Sequence, residues 1–176
     1  MAGLLVASFI TSVTAQTKYQ ISLVAGKNPE GSNATEVPLG QPQGVVADAQ
    51  GNVYFVDQDN VRIRKINASG KITTIAGTGE DGFSGDGNLA VKAKISTSIA
   101  ALAMDSSGDL YFSDGSRIRK ITMSTGIVTT IAGTGTTGFS GDGGQATAAD
   151  INSPGGIAFD GADNLYFSGS DHRIRR

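Results

Sequence analysis

An all-β architecture built from repeated four-stranded sheets is predicted for this chain by three features of its sequence. Residues 75–87 return as residues 131–143, at a constant offset of 56 residues (131 − 75) with no internal gap. Glycine supplies 25 of the 176 residues, twice its usual share of about 7%. Short runs rich in Val, Ile, Thr and Tyr alternate with glycine-containing turns. A period of this length indicates a tandem structural repeat.

The first complete unit consists of four short β-prone runs separated by turn-forming residues. The predicted strands span residues 44–48, 53–57, 61–66 and 71–76. Gly51-Asn52, Asn60 and Ser69-Gly70 stand between these runs, and such residues favour tight turns. Four short strands joined by tight turns form an antiparallel meander.

The same order of strands returns twice more along the chain. The second unit has predicted strands at 101–105, 110–114, 117–121 and 126–132, and the third has them at 156–160, 165–168 and 172–176. Residues 19–26 match the last strand of the first and second units. The predicted divisions are therefore strand four of a preceding blade at 19–26, blades at 43–77 and 100–133, and an incomplete blade at 155–176.

A four-stranded antiparallel sheet repeated in tandem is the blade of a β-propeller. The chain holds about three blades' worth of sequence, whereas closed propellers usually have ~4–8 blades. The predicted fold is therefore a partial propeller. Further blades in a longer chain, two copies closing one ring, and an open arc are three arrangements that would satisfy this count.

The amino terminus predicts export. Residues 1–15 form an apolar run that ends in small residues, which is typical of a signal peptide, and the propeller segment then covers residues 16–176. A buried strand is the alternative, because the basic residues that normally open a signal peptide are missing. The run is too short to span a membrane, which takes about 20 apolar residues. We predict a secreted, periplasmic or cell-surface location.

Charge and residue usage argue against two classes of function. The formal net charge is −2, whereas dedicated nucleic-acid binders carry a strong basic excess. The chain has one histidine, no cysteine and neither a Gly-x-Ser-x-Gly elbow nor a His-Glu-x-x-His helix. No catalytic residue is predicted.

Several spaced motifs resemble the NHL repeat. They are Pro-Gln-Gly-Val-Val-Ala-Asp at 42–48, Gly-Asn-Val-Tyr-Phe-Val-Asp at 51–57 and Asn-Val-Arg-Ile-Arg at 60–64. The segment Ile-Ala-Gly-Thr-Gly, followed by Gly-Phe-Ser-Gly-Asp-Gly, is similar to the long-repeat form of exported bacterial NHL proteins and, more distantly, to the teneurin propeller. The resemblance covers residues 19–176 and implies a β-propeller.

Two departures from the NHL pattern weaken any site that needs the same side chain from every blade. Gly169 stands where the other units carry Asp57 and Asp114. His172 alone keeps the histidine of the family motif.

A ladder of basic residues follows the third strand of each unit. Its arginines are Arg62, Arg64, Arg117, Arg119, Arg173 and Arg175. Alternate residues of a strand share a face, so each pair of arginines should project together. One interpretation is a surface for RNA, phosphate or an anionic glycan, and some NHL propellers bind RNA. The favoured interpretation is structural, with the arginines pairing with Asp57 and Asp114 to fix the blade spacing.

A second set of residues should gather on one face of the propeller, which the loops after strands two and four share. The predicted ligand-face residues are Asp57, Asp81, Phe83, Asp86, Asp114, Phe139 and Asp142. No cofactor is predicted, although these carboxylates leave a Ca²⁺ site as an alternative. We expect Phe83 and Phe139 to plug each loop onto its own blade.

The sequence predicts an exported NHL-repeat binding scaffold that recognises a protein or a surface glycan through this loop face. Self-association to complete the propeller is a further prediction about its partners. The resemblance also leaves an alternative, a metal-dependent propeller enzyme of the lyase or lactonase type, and the sequence does not decide whether the chain is an enzyme.

Overall fold

A computed structural model of the chain describes residues 22–25 and 33–176. Within these residues the first sheet contains β1 (Pro42–Ala47), β2 (Val53–Asp57), β3 (Arg62–Ile66) and β4 (Ile72–Ala76). The second sheet contains β5 (Leu102–Met104), β6 (Leu110–Ser113), β7 (Ile118–Thr122) and β8 (Ile127–Ala132). The third contains β9 (Gly156–Phe159), β10 (Leu165–Ser168) and β11 (Ile174–Arg175). Short 3₁₀ turns lie at Ala34–Glu36, Ala90–Lys92 and Ala146–Ala148.

Each sheet is an antiparallel meander whose strands lie in sequence order. We call the sheets the first, second and third blades. The innermost strands of successive blades lie side by side, β1 next to β5 and β5 next to β9. This arrangement confirms the predicted fold class, an all-β partial propeller with two four-stranded blades and a third sheet of three strands.

Aspartates hold the turn between the first two strands of every blade. Asp48, Asp105 and Asp160 each accept backbone N–H groups from residues two and four positions later. Their other carboxylate oxygen accepts the hydroxyl of a tyrosine on the next strand, at 3.0 to 3.2 Å. Hydrogen bonds from the side chain and backbone of Asn164 lower the pKa of Asp160 to about 2. The sequence analysis did not single out this repeated Asp–Tyr pair.

The hydrophobic core lies between the blades. Val56 and Ile63 of the first blade pack with Ile99, Leu110 and Phe112 of the second. A second cluster joins the second blade to the third through residues that include Ile118, Ile151 and Phe167. Burying each such side chain contributes about 1.5–3 kcal/mol. The blades therefore stabilise one another, as stacked repeats do.

Two predictions about the amino-terminal region fall largely outside the described residues. The signal peptide predicted at 1–15 lies entirely outside them. Of the strand predicted at 19–26, only residues 22–25 are described, and they belong to no strand. In the part of the chain that the structure covers, no helix is long and apolar enough to cross a membrane.

Candidate functional site

Two equivalent loops dominate the face where β4 and β8 end. We call residues 82–87 and 138–143, each Gly-Phe-Ser-Gly-Asp-Gly, the aromatic-acidic loops. Gly85 and Gly141 adopt φ values of 88° and 84°. A Cβ atom there would lie 2.8 Å and 2.7 Å from the Cα atoms of Ala93 and Ala149. Each loop therefore packs its backbone tightly against the 3₁₀ turn that follows it.

The first aromatic-acidic loop encloses Arg119 of the second blade. Arg119 is fully buried, and its Nε and Nη2 donate to Asp86 Oδ1 at 3.0 and 2.7 Å. Nη2 also donates to the Ser84 carbonyl at 2.8 Å. Nη1 donates to Asp114 Oδ2 at 3.0 Å and to the Lys94 carbonyl at 3.2 Å. All three guanidinium nitrogens are therefore engaged, as a buried arginine requires.

The two carboxylates around Arg119 differ in their environment. Burial by itself would raise the pKa of Asp86, but hydrogen bonds from Thr130 and Arg119 outweigh it and hold that pKa below its ordinary value. Asp114 is 2% exposed, and burial raises its pKa although Ser96 and Arg119 both donate to it. The exposed partner therefore stays ionised more readily than the buried one.

Phe83 packs on the arginines of the following blade. Its ring centroid lies 3.7 Å from Arg117 Cζ and 4.9 Å from Arg119 Cζ. The expectation that Phe83 would plug its loop onto its own blade is therefore wrong. The stacked guanidinium groups attract the ring through a cation–π contact, and 44% of the phenylalanine stays exposed.

The third blade repeats this arrangement 56 residues later. Arg175 donates to Asp142 Oδ1 from Nε at 2.8 Å and to the Ser140 carbonyl at 2.7 Å. Phe139 lies with its ring centroid 3.8 Å from Arg173 Cζ. Because Gly169 replaces the buried aspartate of the second blade, Arg175 has one carboxylate partner where Arg119 has two.

We call this interblade contact the loop–arginine latch: an aromatic-acidic loop, the two arginines of the next blade, and Asp114 where it is present. The bulge between Ile118 and Arg119 helps to aim Arg119, because a bulge bends the strand and redirects its side chains. A latch joins blades at positions 33 residues apart, Asp86 with Arg119 and Asp142 with Arg175.

The first blade has the arginines but a different setting. Arg64 donates to Thr74 Oγ1 at 3.2 Å, while Asp57 accepts Gly40 N–H and Asn60 Nδ2 on Oδ1, each at 2.8 Å. Beside these residues lies an open cleft of about 850 Å³, which we call the first cleft. It is lined by Asp57, Asn60, Arg62, Arg64, Thr78 and Lys92, among others.

The remaining ligand-face residue, Asp81, accepts the backbone N–H of Thr97 at 2.8 Å. Gln58, in the loop after β2, donates to the carbonyl of that same Thr97, so the two kinds of loop do meet on one face. Among residues 22–25 and 33–176, no three His, Cys, Asp or Glu side chains group in a way that could hold a metal ion. His172 is exposed and takes a left-handed φ of 62°.

The latch contains partners that the sequence analysis missed. The carbonyls of Ser84, Lys94, Ser140 and Asp150 accept arginine N–H groups. Backbone carbonyls leave no trace in a sequence, so composition cannot reveal them. The pairing of Asp86 with Arg119 had a detectable signal, because an aspartate precedes an arginine by 33 residues in two successive units.

Tandem blades of this kind define a β-propeller, and comparison with known families narrows the class. Residues 21–82 match the model of the Teneurin NHL domain. Teneurin-1 from Gallus gallus is 45% identical over 49 residues, which cover 28% of this chain and 2% of that protein. These two findings confirm the resemblance to the NHL repeat, which the family model matches over residues 21–82.

A plant relative and two solved structures extend the comparison. The chloroplastic protein SUPPRESSOR OF QUENCHING 1 from Arabidopsis thaliana is 36% identical over 94 residues, which cover 52% of this chain and 9% of that protein. A structural genomics protein of unknown function from Bacteroides thetaiotaomicron matches with a TM-score of 0.71 and 21% identity, over 90% of this chain and 39% of that one.

An auxiliary nutrient binding protein from Bacteroides thetaiotaomicron matches with a TM-score of 0.59 and 23% identity, over 74% of this chain and 35% of that one. At these identities the two structures establish the fold alone. The chain spans under two fifths of either structure and under a tenth of either relative.

Proposed function

We propose that this chain is an exported binding scaffold that recognises a protein or a surface glycan through the face carrying the aromatic-acidic loops. The observation that carries the proposal is the pair of phenylalanine rings, Phe83 and Phe139. They are 44% and 47% exposed, and each stacks on an arginine beneath it. Such rings are held in place before any ligand arrives.

A ring with one face on an arginine and the other facing solvent suits two kinds of ligand. The apolar face of a sugar ring can stack on it, and so can an apolar or aromatic side chain of a protein. Because the loops are fixed by glycine packing and by the latch, binding would require little ordering of the site. The solved nutrient binding protein with this fold is consistent with a binding role.

A direct test measures retention on an array of bacterial and host surface glycans. We expect the wild-type protein to bind a subset of glycans and the double variant Phe83→Leu/Phe139→Leu to lose at least about tenfold in affinity. Thr136→Ala changes an exposed residue near the second loop and serves as the control. Unchanged glycan affinity in the double variant would show that the two rings are not part of the binding site.

Export is part of the same proposal. A fusion of residues 1–30 to alkaline phosphatase should direct the reporter out of the bacterial cytoplasm and lose its first segment near residue 15. An active, cleaved reporter is the expected result. Retention of the reporter in the cytoplasm would contradict export.

Self-association would place a second copy against the exposed faces of the first and third blades. Val45 on β1 is 69% exposed and Ile174 on β11 is 71% exposed, and faces of this kind are covered in stacked repeats. We propose that a second copy can cover them. Light scattering at several concentrations tests this, since a dimer is the expected species and a monomer at every concentration would oppose it.

A metal-dependent enzyme is the alternative class. No cluster of metal-ligating side chains supports it in the regions that the structure describes. Turnover of lactones that depends on a divalent ion would revive it.

A further inference from the structure

The second and third blades differ in how their third strands are covered. Ile118 on β7 and Ile174 on β11 are equivalent residues, 56 positions apart (174 − 118). Ile118 is fully buried, whereas Ile174 is 71% exposed. β7 pairs with β6 on one side and with β8 on the other, but within the described residues β11 pairs with β10 alone. An open strand edge beside an exposed apolar side chain is a template for a further strand.

The two complete blades show what normally covers this isoleucine. In each of them it lies in one core cluster with the alanine that ends the fourth strand and with an isoleucine that precedes the next blade. These triads are Ile63–Ala76–Ile95 and Ile118–Ala132–Ile151. Each triad therefore joins two successive blades. Ile174 belongs to none of the core clusters of the described residues.

Counterparts of the other two members of the triad stand before the first blade. Ala25 lies in a Val-Ala-Gly segment and Ala132 in an Ile-Ala-Gly segment, and Leu39 stands three residues before a proline, as Ile151 does. Ala25 and Leu39 both pack against the core cluster of the first blade and remain partly exposed. One side of the array thus carries the alanine and the larger apolar residue of a triad, and the other side carries Ile174.

The strand that would cover β11 comes from the same segment. Residues 22–25 end at Ala25 and belong to no strand. In both complete blades the isoleucine of the third strand faces the alanine, and the next residue, an arginine, faces the position two before that alanine, with a bulge between. This register places Ala25 opposite Ile174 and Leu23 opposite Arg175. Leu23 is exposed, so its position can accept a neighbouring strand.

Blade number favours a second copy as the source of this segment. Pairing within one chain would close a ring of three blades, whereas closed propellers usually have ~4–8 blades. Two copies joined at both ends contain six blades (2 × 3). The same contact is then made twice about a two-fold axis, which is the commonest symmetry of protein dimers.

We propose that β11 accepts residues 22–25 of a second copy as the fourth strand of the third blade. Ala25 and Leu39 of the second copy then cover Ile174 and complete the triad. Each copy completes the third blade of the other, and the two form one ring. This inference rests on the self-association proposed above and names the strands that produce it.

A designed disulfide tests the pairing, because the chain has no cysteine of its own. The same register places Ser22 opposite Arg176, and both residues are exposed. Facing residues of paired strands lie within the range of a disulfide. Oxidised Ser22→Cys/Arg176→Cys should run as a covalent dimer on a denaturing gel without reductant. Mass spectrometry should identify the bond between positions 22 and 176.

The matched control is Ser22→Cys/Ser124→Cys, whose second cysteine lies in an exposed turn of the second blade. We expect at least about tenfold less covalent dimer from the control, because its two cysteines do not face each other. Mixing the single variants Ser22→Cys and Arg176→Cys should also give a mixed disulfide dimer. That product cannot form within one chain, and it needs only one exposed substitution in each copy.

Two results would overturn the proposal. The first is a covalent monomer that contains the 22–176 bond, because the segment would then pair within its own chain. The second is a dimer yield no higher than that of the control. A dimer in light scattering without the 22–176 bond would retain self-association and reject this pairing. The glycan array depends on Phe83 and Phe139, so its outcome is independent of the disulfide result.

Discussion

The first and second blades share their strand order and their arginine pair, but they differ in what lies against those arginines. In the second blade Arg119 is fully buried under an aromatic-acidic loop. In the first blade the counterpart of Arg119 is Arg64, which is 5% exposed and donates to Thr74 Oγ1. An open cleft of about 850 Å³ lies beside Arg62 and Arg64. The same pair of arginines therefore lies under a packed loop in the second blade and beside an open cleft in the first.

The latch joins two blades through the carboxylate of Asp86 and the backbone carbonyl of Ser84, which both accept from Arg119. The phenylalanine of the same loop, Phe83, stays 44% exposed. One loop therefore combines an interblade contact with a side chain that solvent can reach.

Breaking the second-blade latch at its centre should have the largest effect. Arg119→Met leaves Asp114 buried without its cation, and such a loss costs about 3–5 kcal/mol of unfolding free energy. Arg175→Met is the control, because Asp142 is 62% exposed, and it should cost about 1 kcal/mol. Urea unfolding of the two variants and the wild type measures both losses of unfolding free energy. Equal losses would contradict the distinct role of the buried aspartate.

Disturbing the loop backbone should come next. A Cβ at Gly85 meets Ala93, whereas a Cβ at Gly87 has nothing within 4 Å, and both residues have positive φ. We therefore expect Gly85→Ala to cost about 2–3 kcal/mol and Gly87→Ala about 1 kcal/mol. Thermal unfolding checks the pair. If the order were reversed, the loop would not pack as described.

Removing the ring contact should have a smaller effect. Phe83→Ala loses its stacking on Arg117, which we expect to destabilise the fold by about 1–2 kcal/mol. A double-mutant cycle with Arg117→Ala isolates the pair and should give a coupling energy of about 0.5–1 kcal/mol. A coupling of zero would show that the ring and the guanidinium are neighbours without a stabilising interaction.

The smallest predicted effect is on the unfolding free energy at acidic pH. The pKa of Asp86 is lowered in the folded protein, so its contribution to stability is complete above its unfolded pKa, near about pH 4, and is lost as pH falls through the lowered value. The raised pKa of Asp114 acts in the opposite direction, because the folded state then binds its proton more readily. Asp86→Asn should make the fall in unfolding free energy between about pH 4 and 2 shallower. An unchanged slope would contradict this assignment.

The fold was predictable because its signal is local and repeated. The 56-residue offset and the short β-prone runs, each of about five residues, indicate blades without any knowledge of long-range contacts. The bond from Arg119 to Asp114 joins positions five residues apart, one on β7 and one just after β6, and the pairing of these two strands brings them together. Such contacts can be anticipated from the meander.

The latch was less predictable because it crosses between blades. Asp86 lies 33 residues before Arg119, and the direction in which Phe83 packs depends on how far one blade is rotated from the next. Neither the backbone carbonyls nor the open volume beside Arg62 can be read from residue types. The sequence shows that the connection before the first blade is shorter than the later ones, since Ala25 and Ala34 are nine positions apart and Ala76 and Ala90 are fourteen apart.

The most direct test of the latch is the hydrogen exchange rate of the arginine Nε–H groups, measured by NMR on the intact chain with the partly exposed Arg62 as the reference. Arg119 Nε–H is bonded to Asp86 within a fully buried side chain, and Arg62 borders the first cleft. We predict that Arg119 exchanges at least about a hundredfold more slowly than Arg62, because its exchange requires the blades to separate. Similar rates for the two arginines would contradict the latch.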